Sequence, residues 1–143
     1  MRSTITAAMA LAAVLTAGTA TMRAHHAFAA EFDVNKPLKL TGTLKEWEMI
    51  NPHSWFHVNV KQPDGTTAEW LIEGGSPNQL IRNGVTKTTI PIGTELIIDA
   101  YASKDGTNKA VGRNLVLKDG SRLFLGGSAP GQAESAAAKT GAK

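Results

Sequence analysis

The sequence predicts a mainly β domain: a five-stranded Greek-key barrel with one short helix between strands three and four. Three observations predict it. Between Leu38 and Leu125, apolar residues alternate with polar ones in several short runs, the period-two pattern of half-buried strands. Turn-forming groups separate those runs: Pro63-Asp64-Gly65, Pro91-Ile92-Gly93, Lys104-Asp105-Gly106 and Asp119-Gly120. Only one stretch, Ser76 to Gly84, carries helix start and stop signals.

The first strand is read from Leu38 to Ile50. Leu38, Leu40, Gly42 and Leu44 share one face, with Gly42 as the expected bend or bulge. Asn51-Pro52 ends it. The second strand runs from His53 to Lys61: Ser54, Phe56, Val58 and Val60 face one way, His53, Trp55, His57 and Asn59 the other. A three-residue loop, Pro63–Gly65, then pairs Val60 with Ala68, Val58 with Trp70 and Phe56 with Ile72. A two-residue turn would put Val60 opposite Glu69 and Phe56 opposite Glu73. A one-residue slip exchanges faces, so burial selects the first register and sets strand three as Thr67 to Glu73.

Ser76 suits a helix N-cap and Pro77 the first helical position; Gly84 ends the helix. This reading of Ser76 prevails over a nucleophile, because no His or acid stands at a triad-like spacing. Strand four follows as Thr94 to Ala102 and strand five as Val111 to Leu117, with Arg122 to Leu125 as a short return. Three strands, a helix, then two strands is the element order of the OB-fold. The expected core is Leu40, Leu44, Phe56, Val58, Val60, Trp70, Ile72, Leu80, Leu96, Ile98, Leu115 and Leu117. Phe28 and Phe32 stand one helical turn apart and are expected to pack over the barrel opening.

Both ends of the chain read differently. Arg2, the apolar run from Ile5 to Leu15 and small residues up to Ala24 have the layout of a secretory signal peptide. The run is too short for a membrane span. Residues 1–24 are therefore read as a signal cut after Ala24 or after Ala20, with no transmembrane span in the mature protein. The formal charge of +3 falls to +1 once Arg2 and Arg23 are lost, and no basic stripe points to nucleic acid. The 119 residues after Ala24 suffice for one domain. The chain has no cysteine, so the fold does without disulfides. The stretch 126–143 has no large apolar residue and is read as a disordered tail beyond a 25–125 domain.

The segments HHAFAAEFD (25–33), NPHSW (51–55), GSPN (75–78) and the run from 93–106 to 112–120 resemble a family of small exported bacterial proteins of unknown function. The resemblance covers roughly residues 25–125. It implies a periplasmic protein with an OB-like barrel, and it implies no activity. Val85 stands where that family often carries an aromatic residue.

The chemistry rests on the histidines. The outward face of strands two and three carries His53, Trp55 and His57 beside Glu69 and Glu73, on the surface where OB-folds bind ligands. These five are the candidate ligand-binding residues of a small periplasmic binding module, its ligand a small molecule or a periplasmic protein. On a straight strand the Cα atoms of His53 and His57 are about 13 Å apart, at ~3.3 Å per residue, too far to share one metal. The alternative is a copper or zinc site built from His25, His26 and His53. If cleavage exposes His25, its α-amine and imidazole chelate together, and nitrogen donors suit both metals. Glu46 and Glu48 flank Trp47 on a face read as solvated. No triad, phosphate loop or dense carboxylate cluster points to an enzyme.

Overall fold

The computed structural model describes residues 28–129. Residues 28–31 are helical (α1) and lead into β1 (Phe32–Glu48). Then come β2 (Trp55–Lys61), β3 (Thr67–Glu73), α2 (Pro77–Arg82), β4 (Glu95–Ser103), β5 (Lys109–Leu117) and β6 (Arg122–Phe124). The protein is thus mainly β, with six strands in one sheet rather than five, and with two short helices rather than one. The sheet order is β3-β2-β1-β4-β5-β6. Neighbours along it are antiparallel, and a further parallel pairing joins β3 to β5 through Leu71↔Lys109, Ile72↔Ala110 and Glu73↔Val111.

One tight turn fixes the β2–β3 register. Gly65 takes a φ of +84°, a left-handed conformation open to glycine at no steric cost. The Gln62 N–H donates to the Thr66 carbonyl at 2.8 Å. The Asp64 carboxylate accepts from the Thr66 N–H at 2.9 Å and from its hydroxyl at 2.6 Å. The register that follows is the expected one: Val60↔Ala68, Val58↔Trp70 and Phe56↔Ile72. Phe56, Val58, Val60 and Ile72 are buried, while Trp70 and Leu117 only lean against the core half-buried.

β1 departs from expectation in two ways. It begins at Phe32, not Leu38, because Leu38 to Thr43 pair residue by residue with β4 and Phe32 still meets Ser103. Its irregularity against β2 lies at Lys45, between Leu44↔Val58 and Glu46↔His57, not at Gly42. The extra residue breaks the alternation. Leu44 and Trp47, three apart, both turn into the core, and Glu46 and Glu48 turn out. Gly42 serves close approach instead: a Cβ there would lie 2.5 Å from the Asn59 carbonyl oxygen.

Ser76 caps α2, its hydroxyl accepting from the Gln79 N–H at 3.4 Å, with Pro77 in the first turn. Val85 and Ile90, after the helix, are fully buried with Leu80 and Leu125 in the main core. A second, smaller cluster joins Phe28, Phe32, Val111 and Ala129, with Tyr101 against it. Phe28 and Phe32 do pack together, with ring centroids 6.0 Å apart, but Phe32 is the first residue of β1 rather than part of a helix. Ala129 is buried, so the packed chain continues past the expected boundary at Leu125. The expected signal segment and residues 130–143 lie outside the described residues.

Candidate functional site

The sheet register assembles the site. Across β1, β2 and β3, Trp55 lies directly between Glu48 and Glu73, and His57 lies between Glu46 and Leu71. All sit on the face opposite Phe56 and Val58, so the period of two that buries one set presents the other.

His57 is held in a fork of two carboxylates. Its Nδ1 lies 2.7 Å from Glu69 Oε1 and its Nε2 2.9 Å from Glu48 Oε1. Hydrogen bonds to two ionised carboxylates need a proton on each ring nitrogen, and in that imidazolium form the ring has no lone pair for a metal. Burial lowers the His57 pKa, but the hydrogen bonds and negative charge of Glu69 and Glu48 outweigh it and raise it above the usual histidine value. Lys45 lies 2.5 Å from Glu69 Oε2. The hydrogen bonds from Lys45 and His57 hold the Glu69 carboxyl below its usual range.

His53 precedes β2 rather than opening it, in the loop after the cis Asn51–Pro52 peptide. Its Nδ1 lies 2.9 Å from Glu73 Oε1, an ion-pair distance in an orientation that makes no hydrogen bond. Glu73 has an outward position in the register but is buried. Its pKa is raised, by burial first and by the charge of Glu31, against the opposing pull of His53 and Lys109. Lys109 joins the two ends of this group. It pairs with Glu31 at the end of α1 and stands 4.8 Å from the Trp55 ring centroid, within cation–π range.

The five predicted ligand residues thus fall into two adjoining groups, His57–Glu69 and His53–Glu73, with half-buried Trp55 between them. His25 and His26 lie outside the described residues. Among the described residues, no group of three His, Cys, Asp or Glu side chains is placed to hold a metal ion. Sequence reasoning missed Glu48, read as solvated, and its outward position next to His57 was the signal available. It also missed Lys45, Glu31 and Lys109. Lys109 is brought in only by the parallel β3–β5 pairing, which leaves no local mark in the sequence.

The model of a family of unknown function, DUF6152, matches residues 11–113. The chain belongs to that family. No curated protein and no solved structure matches it. The DUF6152 match takes in both carboxylate–histidine groups, Trp55 and Lys109, and it assigns none of them a role. Among the described residues no helix is long and apolar enough to cross a membrane.

Proposed function

We propose that this DUF6152 protein is a small exported, periplasmic binding module with an OB-like barrel, whose ligand lies on the outer face of β2 and β3 around Trp55. The barrel reading is supported by the pairings. β1 pairs with β2 and β4, β4 with β5, and β5 in parallel with β3, a circuit of five strands with β6 as an appendage. The single observation that carries the binding reading is the row Glu48–Trp55–Glu73. A half-buried indole lies between two carboxylates, with His53, His57 and Lys109 fixed around it. An aromatic platform with fixed polar groups at its rim is the usual make-up of a small-ligand surface. Such a face takes a small polar molecule or a segment of a partner protein.

The test is NMR of the exported protein titrated with short peptides and with disaccharides, following the Trp55 indole N–H. A saturable shift of that resonance, lost in Glu73→Gln, supports the reading. Shifts confined to other surfaces overturn it.

One observation favours the copper or zinc alternative. A carboxylate that accepts from one ring nitrogen orients a histidine so that the other can ligate, and Glu73 Oε1, 2.9 Å from His53 Nδ1, is the carboxylate beside that ring, though not hydrogen-bonded to it. His26 and His25 precede Phe28 by two and three residues, and Glu31 of α1 is near enough to act on Glu73. Cu(II) titration of protein shown by intact mass to begin at His25 should give one tight site. Affinity should fall as pH drops through about 6.5, where free imidazole protonates. Binding should suffer more in His25→Ala than in His57→Ala. Equal weak binding by wild type and a His25/His26 double variant removes this alternative.

A further inference from the structure

Cross-strand neighbours on one face of a sheet have Cβ atoms about 4.5–5.5 Å apart. The register therefore sets a carboxylate close on each side of the Trp55 indole, Glu48 from β1 and Glu73 from β3. The face of an indole carries negative potential and attracts cations. Ring and carboxylates thus favour positive charge at one place and repel an anion there.

A cation is already seated on the ring. Lys109 Nζ stands 4.8 Å from the Trp55 ring centroid and 5.9 Å from that of Phe32. Its side chain is 25% exposed, and its charge is paired with Glu31. The space beside the indole therefore admits a positively charged nitrogen within reach of two aromatic rings. Glu73, by contrast, lacks donors. Its side chain is only 7% exposed, and none of the described residues donates a hydrogen bond to either oxygen. His53 Nδ1 is close but turned away, and it is sealed from solvent, whereas the Glu73 oxygens are not. A buried acceptor without donors is costly to keep. Glu48 has already given one oxygen to His57 Nε2.

The missing group is thus a cation that can lie against an indole and donate N–H groups to a carboxylate at its edge. A guanidinium does both: it is planar, it stacks on aromatic faces, and its donors form a fork that fits a carboxylate. Taking the Trp55 face as the binding surface, on which this assignment rests, we propose that its ligand presents a guanidinium group. That group takes the place of the Lys109 ammonium against the ring and donates to Glu73, while Lys109 stays on Glu31. Its source is an arginine side chain of a partner protein or a free guanidino compound.

The test is an NMR titration of the full chain in low-salt buffer, following the Trp55 indole N–H. The probes are a blocked tripeptide with arginine at its centre, the same peptide with citrulline, methylguanidinium and a disaccharide. Citrulline keeps the shape of arginine and lacks the charge. The arginine peptide should give a saturable shift, and the citrulline peptide should bind about tenfold more weakly, since it loses a charge-assisted hydrogen bond. Glu73→Gln should weaken the arginine peptide about tenfold for the same reason. Lys109→Met should tighten it about fourfold, because a like charge about 5 Å away is removed. Methylguanidinium binding as well as the arginine peptide assigns the site to free guanidino compounds, and binding at least tenfold weaker assigns it to arginine within a chain. Equal binding of the arginine and citrulline peptides overturns the proposal, and so does unchanged or weaker arginine binding in Lys109→Met. A Trp55 shift with the disaccharide but not with arginine leaves the binding surface standing and removes the guanidinium. No Trp55 shift with any probe removes both.

Discussion

Replacing Phe56 by alanine tests the packing beneath the candidate site. Phe56 is 1% exposed. Its ring lies 5.1 Å from that of Trp47, tilted by 51°, and one ring edge would stand 2.9 Å from a Cβ on Gly74. Backbone and a second aromatic thus wall the position, which leaves little room for collapse into a cavity. A buried aromatic removes about 150–250 Å² from water. At ~25 cal/mol per Å² that gives about 4–6 kcal/mol, an upper bound because unfolded chains already bury some surface. Large-to-small substitutions of this kind cost about 3–5 kcal/mol. The expected loss lies in that range, a large share of a domain stability of about 5–15 kcal/mol. Urea unfolding followed by far-UV circular dichroism reads it without relying on the neighbouring indole of Trp47. Asn59→Ala, on the opposite face of β2, should cost less than about 1 kcal/mol. Equal losses in the two variants, or a loss under 1 kcal/mol for Phe56→Ala, would refute the packing argument.

The His57 fork and the C-terminal packing give three more expectations. The folded pKa of His57 is raised, so its contribution is full below the unfolded value near 6.5 and disappears as pH rises through the folded pKa. The urea-midpoint gap between wild type and His57→Gln should therefore be widest on the acid side and close toward alkaline pH. Glu48→Gln should lower the His57 titration midpoint read from its ring protons, and an unchanged midpoint would dissolve the fork. Ala129→Asp places a carboxylate against Phe28, Phe32 and Val111. It should cost about 1–3 kcal/mol in thermal or urea unfolding. No loss would show that the segment after Leu125 contributes nothing.

The central hairpin was legible because every constraint on it is local. A turn of Pro63, Asp64 and Gly65, together with a strict alternation, leaves only one register that buries Phe56, Val58 and Val60. The helix was equally legible, since its cap and terminator are adjacent in sequence. The first strand was not. Its inward residues change parity at Lys45, so Trp47, which is 7% exposed, does not stand in the expected core. The stretch from Phe32 to Pro37 lacks apolar alternation and is joined to the sheet only at its two ends, by Ser103 and Tyr101 of β4. For the site, the alternation placed His57 and Glu69 on one face. The partner Glu48 also read as outward but was not joined to His57, and Lys109 was hidden by a pairing that spans about 38 residues of chain.

β1 outruns β2. Phe32 and the residues from Pro37 to Thr41 pair with β4 alone, and the pairing with β2 starts at Gly42. Among the described residues no strand pairs with the other margin of that stretch, and an unpaired sheet edge is of the kind that recruits a strand from another molecule. The residues along it oppose such recruitment. Pro37 has no amide hydrogen to offer. Asp33, Lys36 and Lys39 bring charges, with Lys36 and Lys39 side chains 63% and 69% exposed. A flat apolar ribbon here would invite stacking of copies edge to edge. A proline among charged neighbours keeps the margin solvated, which guards the longest strand against edge-to-edge polymerisation.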